Sequence, residues 1–330
     1  MVVQIQLAIY QLTKINPETA YLNACQVVNR IRSKYQDQTK VENSKKFKDW
    51  SSETKKHSRR SAITTFEHCI IFSDSLGIGA NATDAALFVE QLSRLLVDIA
   101  NEQLQNFKER IPGQMTDIPN QRARYVDTDK NIRYPSAFPI LFRGGLSIGS
   151  KSEILFQPVI QIEEKGLTPQ GLSIIGIPYV EAVQLEKFGK GPRLFCSSQL
   201  AKILQKELDP EKEIIKQVDE NVSEIIWTYY AVKDLSLHPD PEKNIDDAIK
   251  NLLTPVLNLA GYYWKEGAVV IHYLEFLKLI WEGILLYAHI HNYSEEQIQK
   301  VKMDMTNCWY KNQCKFFFSE AETDYVKLFL

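Results

Sequence analysis

The residues best suited to chemistry lie in one short stretch, Phe72-Ser73-Asp74-Ser75-Leu76. A single carboxylate stands between two apolar runs, Cys69-Ile70-Ile71-Phe72 before it and Leu76-Gly77-Ile78-Gly79 after it. That pattern predicts two strands joined by a two-residue turn, with Asp74 at the tip and Ser73 and Ser75 beside it. A carboxylate on a tight hairpin is rigidly aimed, and such a group suits a hard cation such as Mg²⁺. Aspartate is equally at home in a turn that only bonds its own backbone, so both readings stand at this point. No histidine lies at a recognisable spacing to turn either serine into a nucleophile. Gly77-x-Gly79 is not a dinucleotide fingerprint, because no third glycine opens a helix after it.

A second candidate is Arg143-Gly144-Gly145-Leu146-Ser147-Ile148-Gly149. Glycine weakens a strand, so three in one run imply close approach of another backbone or a ligand, or else a bulge that bends the sheet. Other constellations carry less. His289 and His291 fall on different faces of a helix end, where a cation favours the helix C-terminus. Cys308 and Cys314 lack the further ligands of a zinc site. Lys55-Lys56-His57-Ser58-Arg59-Arg60 reads as solvated loop surface. Trp227, Tyr229 and Tyr230 read as core and interface aromatics on a strand.

The elements that must position these groups follow from the periodicity. Val2 to Leu7 alternates as a strand. A helix capped by Asn16 carries apolar positions from Ala20 to Ile31. Residues 37–61 read as a mobile loop, and 110–137 as another. After the hairpin, Asn81 or Thr83 caps a long helix with apolar spacing at Ala86, Val89, Leu92, Leu95, Leu96 and Ile99. Residues 139–149 form a strand, and 154–162 is expected to pair with it. A helix starts at Gly176-Ile177-Pro178 and runs through Glu186. Residues 193–196 are a short strand, Ser197 or Ser198 caps the next helix, and 224–232 reads as a last strand. Beyond a boundary near 236, three helices fit 242–264, 267–291 and 294–312. The order implies an α+β fold, an antiparallel-rich sheet covered by helices, with residues 236–330 as a helical module rich in aromatics.

Composition sets limits on function. The chain has 330 residues, 44% hydrophobic and 24% charged, enough for a sizeable core. A net charge of −2 gives no global basic field, so nucleic acid is not expected as the main partner. Five scattered cysteines without zinc spacing, and no signal-like opening, point to reduced thiols and a cytoplasmic protein. The most membrane-like segment, 268–290, carries His272, Glu275, Lys278 and Glu282 on one side, which marks an amphipathic helix on a protein core and no membrane span.

Phe-Ser-Asp-Ser at 72–75, Arg-Gly-Gly-Leu-Ser-Ile-Gly at 143–149, Gly-Ile-Pro-Tyr-Val-Glu-Ala-Val-Gln-Leu-Glu at 176–186 and Gly-Pro-Arg at 191–193 occur in that order. Together they resemble the class III nucleotide cyclase catalytic domain, in particular the divergent bacterial branch that includes the pyrimidine cyclases of antiphage signalling (the Pycsar type). The resemblance covers residues 1–235. It implies a ferredoxin-like, palm-type sheet and conversion of a nucleoside triphosphate to a 3′,5′-cyclic monophosphate and pyrophosphate. It also implies Mg²⁺ or Mn²⁺ as cofactor and a homodimer with sites between subunits. On it, Asp74 is the hairpin metal ligand, and Arg143, Gly145 and Gly149 match the strand written Arg-x-Gly-x-x-x-Gly. Ser73 and Ser75 flank the same cleft.

Four positions depart from the family pattern. Ala8 stands where the first metal aspartate belongs, and a methyl group cannot ligate a cation. Val180 and Gln184 replace the helix Asn and Arg that brace ribose and phosphate. Ile70 stands where a Lys or Glu reads a purine edge, which argues against adenine or guanine chemistry of the standard kind. Asp127 or Asp129 could supply the missing ligand. Alternatively, the protein keeps the fold as a nucleotide sensor or dimeric scaffold without turnover. Glu181 and Glu186 share a helix that would ordinarily present them to solvent.

Overall fold

The computed structural model describes residues 2–7, 65–72, 75–80, 84–110, 125–126, 132–133, 142–150, 153–163, 166–208, 211–234, 240–262 and 267–313. The opening alternation forms β1 (Val2–Leu7), and the hairpin pattern forms β2 (Phe66–Phe72) and β3 (Ser75–Ala80). Phe72 pairs with Ser75, so the connection is two residues long, as the pattern requires. The helix expected after Asn16 and the loop expected over residues 37–61 lie outside the described residues.

The long helix is α1 (Ala85–Arg110). All six of its expected apolar positions, from Ala86 to Ile99, are buried. The expected caps Asn81 and Thr83 lie outside the described residues. Asp84 accepts the Leu87 N–H on Oδ1 at 2.8 Å, satisfying a donor that the first turn leaves open. We expect Asp84→Ala to lower stability by about 1 kcal/mol in a urea titration, with the slope of the transition unchanged.

Within 110–137 the structure forms a short ribbon, β4 (Tyr125–Val126) with β5 (Ile132–Arg133). The glycine-rich strand is β6 (Phe142–Ser147). The next run does not pair with it. It is β7 (Ile154–Glu163), which pairs antiparallel with β8 (Gly166–Gly176), a strand the pattern did not reveal. Pro169 and three glycines read as turn chemistry, yet the register shifts between Val159 and Ile160, where Pro169 sits opposite Ile160. A bulge at that point tolerates a residue with no N–H.

Then come α2 (Ile177–Glu186), with Pro178 in its first turn, β9 (Leu194–Ser197) and α3 (Ser198–Glu207), capped by Ser197. The expected strand over 224–232 is corrected. Two short strands, β10 (Ile215–Asp219) and β11 (Val222–Ile225), precede a helix, α4 (Thr228–Asp234). Aromatic and β-branched residues favour strands only weakly, and here tertiary bonds decide. Trp227 Nε1 donates to Pro192 O at 2.7 Å, and Thr228 Oγ1 donates to Leu279 O at 2.5 Å. Tyr229 and Tyr230 both donate to Glu211. The three aromatics are buried core, as expected of their size.

The helices that follow are α5 (Pro241–Ala248), α6 (Thr254–Tyr262), α7 (Gly267–Ile290) and α8 (Glu295–Gln313). A π-helical turn, Ile249–Leu253, separates α5 from α6 where one continuous helix was expected. Pro255 has no N–H to offer the preceding turn, and Thr254 Oγ1 donates to Ile249 O at 2.9 Å.

Among the described residues the main sheet has seven strands in the order β10-β11-β9-β6-β1-β3-β2. Its pairings are antiparallel except that of β6 with β9. The fold is therefore α+β, with a mixed sheet and helices packed on it. Along β6 the alternation sorts the faces. Phe142 and Leu146 join a core with Phe88 and Leu92 of α1, Trp227, and Phe276 and Ile280 of α7. Arg143, Gly145 and Ser147 face α2 instead. The buried cluster is continuous across position 236. No helix among the described residues is long and apolar enough to cross a membrane.

Candidate functional site

Strand register brings the candidate positions into one row. Gln6 of β1 pairs with Arg143 of β6 on one side and with Ser75 of β3 on the other. The C-terminal end of β1 therefore lies beside the connection between β2 and β3. Ser73 and Asp74 form that connection and lie outside the described residues, as do Ala8, Asp127 and Asp129. Ile70 sits in β2 opposite Gly77.

Arg143 is the best-defined member of the row. Its Nε forms an ion pair with Glu186 Oε1, at the end of α2. Glu186 is nearly sealed from solvent, 2% exposed, while the Arg143 side chain stays partly open. Two turns of α2 are thus tied to one strand, because Ser147 Oγ also donates to Glu181 Oε2. Neither glutamate is the solvated surface group that a two-glutamate helix face would ordinarily supply. A buried carboxylate needs a cation or donors around it, and the glycine strand delivers them.

Gly145 makes this approach feasible. A β-carbon there would lie 1.9 Å from Ala182 O and 2.7 Å from Glu186 N. The close neighbour of the strand is therefore the backbone of α2. Gly149 lies against the Pro178 ring, where a β-carbon would sit 2.2 Å from Cγ. Val180 and Gln184, at the positions of the family's Asn and Arg, are both exposed on α2.

A second polar cluster adjoins this one, and sequence reasoning missed its core. Gly191-Pro192-Arg193 lies between α2 and β9. Arg193 donates from Nε and NH2 to the two oxygens of Glu224, which is fully buried on β11, and from NH1 to Glu275 Oε2 of α7 at 3.0 Å. Lys278 Nζ also reaches Glu275, at 2.7 Å, and Lys216 of β10 pairs with Glu282 at 2.7 Å. The polar stripe of α7 thus engages the sheet and its loop. Burial pushes the Glu224 carboxyl above the ordinary carboxylate range, although both Arg193 contacts pull the other way. Desolvation outweighs pairing at Glu224. The charged form of Arg193 gains from Glu224, Glu275 and Glu282.

The remaining candidates are separate from these clusters. His289 and His291 are exposed, and His291 Nδ1 lies 2.9 Å from Tyr287 O of its own helix. Cys196 is a buried thiol whose pKa burial pushes up to about 12, so it packs as a hydrophobe. Cys308 Sγ lies 3.0 Å from Thr254 Oγ1, and Cys314 lies outside the described residues. Among the described residues no three His, Cys, Asp or Glu side chains converge on a metal position. No protein-family model matches the chain, and no curated protein is significantly similar to it.

Proposed function

We propose that the protein is a nucleotidyl cyclase-like enzyme that converts a pyrimidine nucleoside triphosphate to its 3′,5′-cyclic monophosphate and pyrophosphate. The product would serve as a signal, with antiphage defence as its setting. The observation that carries this reading is topological. The strand order β6-β1-β3-β2 is the fourth, first, third and second strand of the ferredoxin-like palm that the sequence motifs imply. It sets the hairpin connection bearing Asp74 next to the end of β1 and in line with Arg143. A homodimer in the cytoplasm, with residues 236–330 as a helical module, belongs to the same reading.

In this reading Arg143 is shared. Its bond to Glu186 fixes the guanidinium, and its exposed part offers charge to a triphosphate. Mg²⁺ or Mn²⁺ would fall to Asp74. Among the described residues no three-ligand cluster converges beside it. Ser73 and Ser75 would line the cleft, whereas Gly145 and Gly149, expected to face the nucleotide, instead admit α2 close against β6.

Exposed, apolar Val180 on α2, together with Ala8, favours a second reading, a cyclase fold that senses nucleotide or scaffolds a dimer without turnover. One experiment separates the two. The purified chain is incubated with UTP, CTP, ATP or GTP and Mn²⁺, and cyclic product and pyrophosphate are measured. The enzyme reading expects product from UTP or CTP that Asp74→Ala abolishes. Saturable nucleotide binding without product gives the sensor, and neither result gives the scaffold.

A further inference from the structure

Residues 187–193, between α2 and β9, form a strap held down at several backbone points. Pro192 O accepts from Trp227 Nε1 at 2.7 Å, and Arg193 O accepts the Gly144 N–H at 2.9 Å. At its crest Gly191 has φ +80°, a left-handed conformation natural to glycine. A β-carbon there would lie 2.6 Å from Glu275 Cβ, so the strap's backbone lies flat on α7. Its amide has an unusual partner. Gly191 N–H donates to His272 Nδ1 at 3.0 Å.

That bond fixes the histidine's protonation. An imidazole nitrogen that accepts must carry no proton, so His272 is neutral with its hydrogen on Nε2. Protonation puts a hydrogen on both nitrogens and turns the acceptor into a donor facing another donor. We propose that His272 is a proton-operated latch: neutral, it holds the Gly191 amide and keeps the strap closed; protonated, it lets go and the strap opens locally. The latch does not depend on nucleotide chemistry.

The surroundings set its range. Burial most strongly disfavours the cation, Arg143 of β6 and Lys190 of the strap add to that, and Glu275 on α7 opposes them. His272 therefore titrates below its ordinary value of 6.5. The sign follows directly. The unfolded or opened chain takes up the proton more readily, so the closed strap is fully favoured above about pH 6.5 and is lost as pH falls below it. Arg193, with Glu224 and Glu275, holds the other end, so opening is confined to the strap while those pairs persist.

The test is amide hydrogen exchange in the full chain between pH 5 and 8, corrected for the intrinsic pH dependence of exchange. Protection of the Gly191 amide should fall about tenfold from pH 7.5 to pH 5, the equivalent of one lost hydrogen bond. In His272→Asn the amide oxygen takes the place of Nδ1 and cannot titrate, so protection should stay flat. In the wild type the midpoint of the change should coincide with the ring-proton titration of His272 read by NMR, a readout that needs no variant. Constant protection in the wild type, an equal fall in His272→Asn, or a midpoint that tracks another group each overturn the latch.

Discussion

Arg193→Met is expected to lower the free energy of unfolding at pH 7.5 by roughly 3–5 kcal/mol, because it strands a buried carboxylate. Glu224 is fully buried, and the Arg193 side chain is 23% exposed, so solvent screens the pair little. Removing the guanidinium takes both Glu224 bonds and the Glu275 bond with it. The cost should depend on pH with a definite sign. Burial already holds Glu224 above the ordinary carboxylate range, and without Arg193 it rises further. A raised folded-state value means stability is greatest in acid and falls as pH climbs past the unfolded value toward the folded one. The limiting slope is about 1.4 kcal/mol per pH unit for one proton. The variant should therefore be closest to wild type near pH 5 and furthest from it near pH 8. The double variant Arg193→Met with Glu224→Leu removes both charges, and it should recover most of the loss, because pairing does not fully offset the desolvation of Glu224. Urea unfolding of the four proteins at two pH values completes the cycle. An additive double variant, or a single variant that loses stability in acid, would refute this account.

How much of this was legible follows from where the information resides. The β2–β3 hairpin, α2 and the helices from α5 onward came from local periodicity and turn spacing, and those signals act over a few residues. The polar stripe of α7 was legible as a stripe, at 272, 275, 278 and 282, because helical spacing alone defines it. Its partners were not, since Gly191, Arg193 and Lys216 meet it only once the sheet is assembled. Glu224 was hidden for the same reason. A single glutamate in a strand reads as solvent-facing until the guanidinium of Arg193, from the strap between α2 and β9, covers it. Residues 224–232 misled because strand propensity is a statement about pleated surfaces, and Trp227 and Thr228 instead bond to Pro192 and Leu279. β8 was masked by a proline and glycines that usually end strands. The resemblance to class III cyclases rests on four short motifs in sequence order. Asp74, the residue it leans on most, lies outside the described residues.

The glycine strand offers the other large effect. Gly145→Ala adds one methyl group, yet it should destabilise the protein by about 3 kcal/mol, the upper part of the range for overpacking. The methyl carbon would fall 1.9 Å from Ala182 O, 2.7 Å from Glu186 N and 2.8 Å from Leu185 Cβ. Two of these are backbone atoms of α2, which cannot rotate away as a side chain would. Either β6 or the whole helix must move, and interiors are packed too densely to absorb that shift elsewhere. Moving α2 pulls Glu186 from Arg143 and Glu181 from Ser147, leaving a buried carboxylate without its cation. Two controls make the claim specific. Ala182→Gly should not rescue Gly145→Ala, because the clash is with a carbonyl oxygen and not with the alanine methyl. Glu186→Gln should cost less than Gly145→Ala, since it removes the charge while leaving the helix seated. Thermal unfolding of the three variants and the double variant decides the matter. Rescue by Ala182→Gly, or a Gly145→Ala protein as stable as wild type, means that α2 does not lie against β6 at this distance, and the row of Arg143, Gln6 and Ser75 loses the helix that fixes its first member.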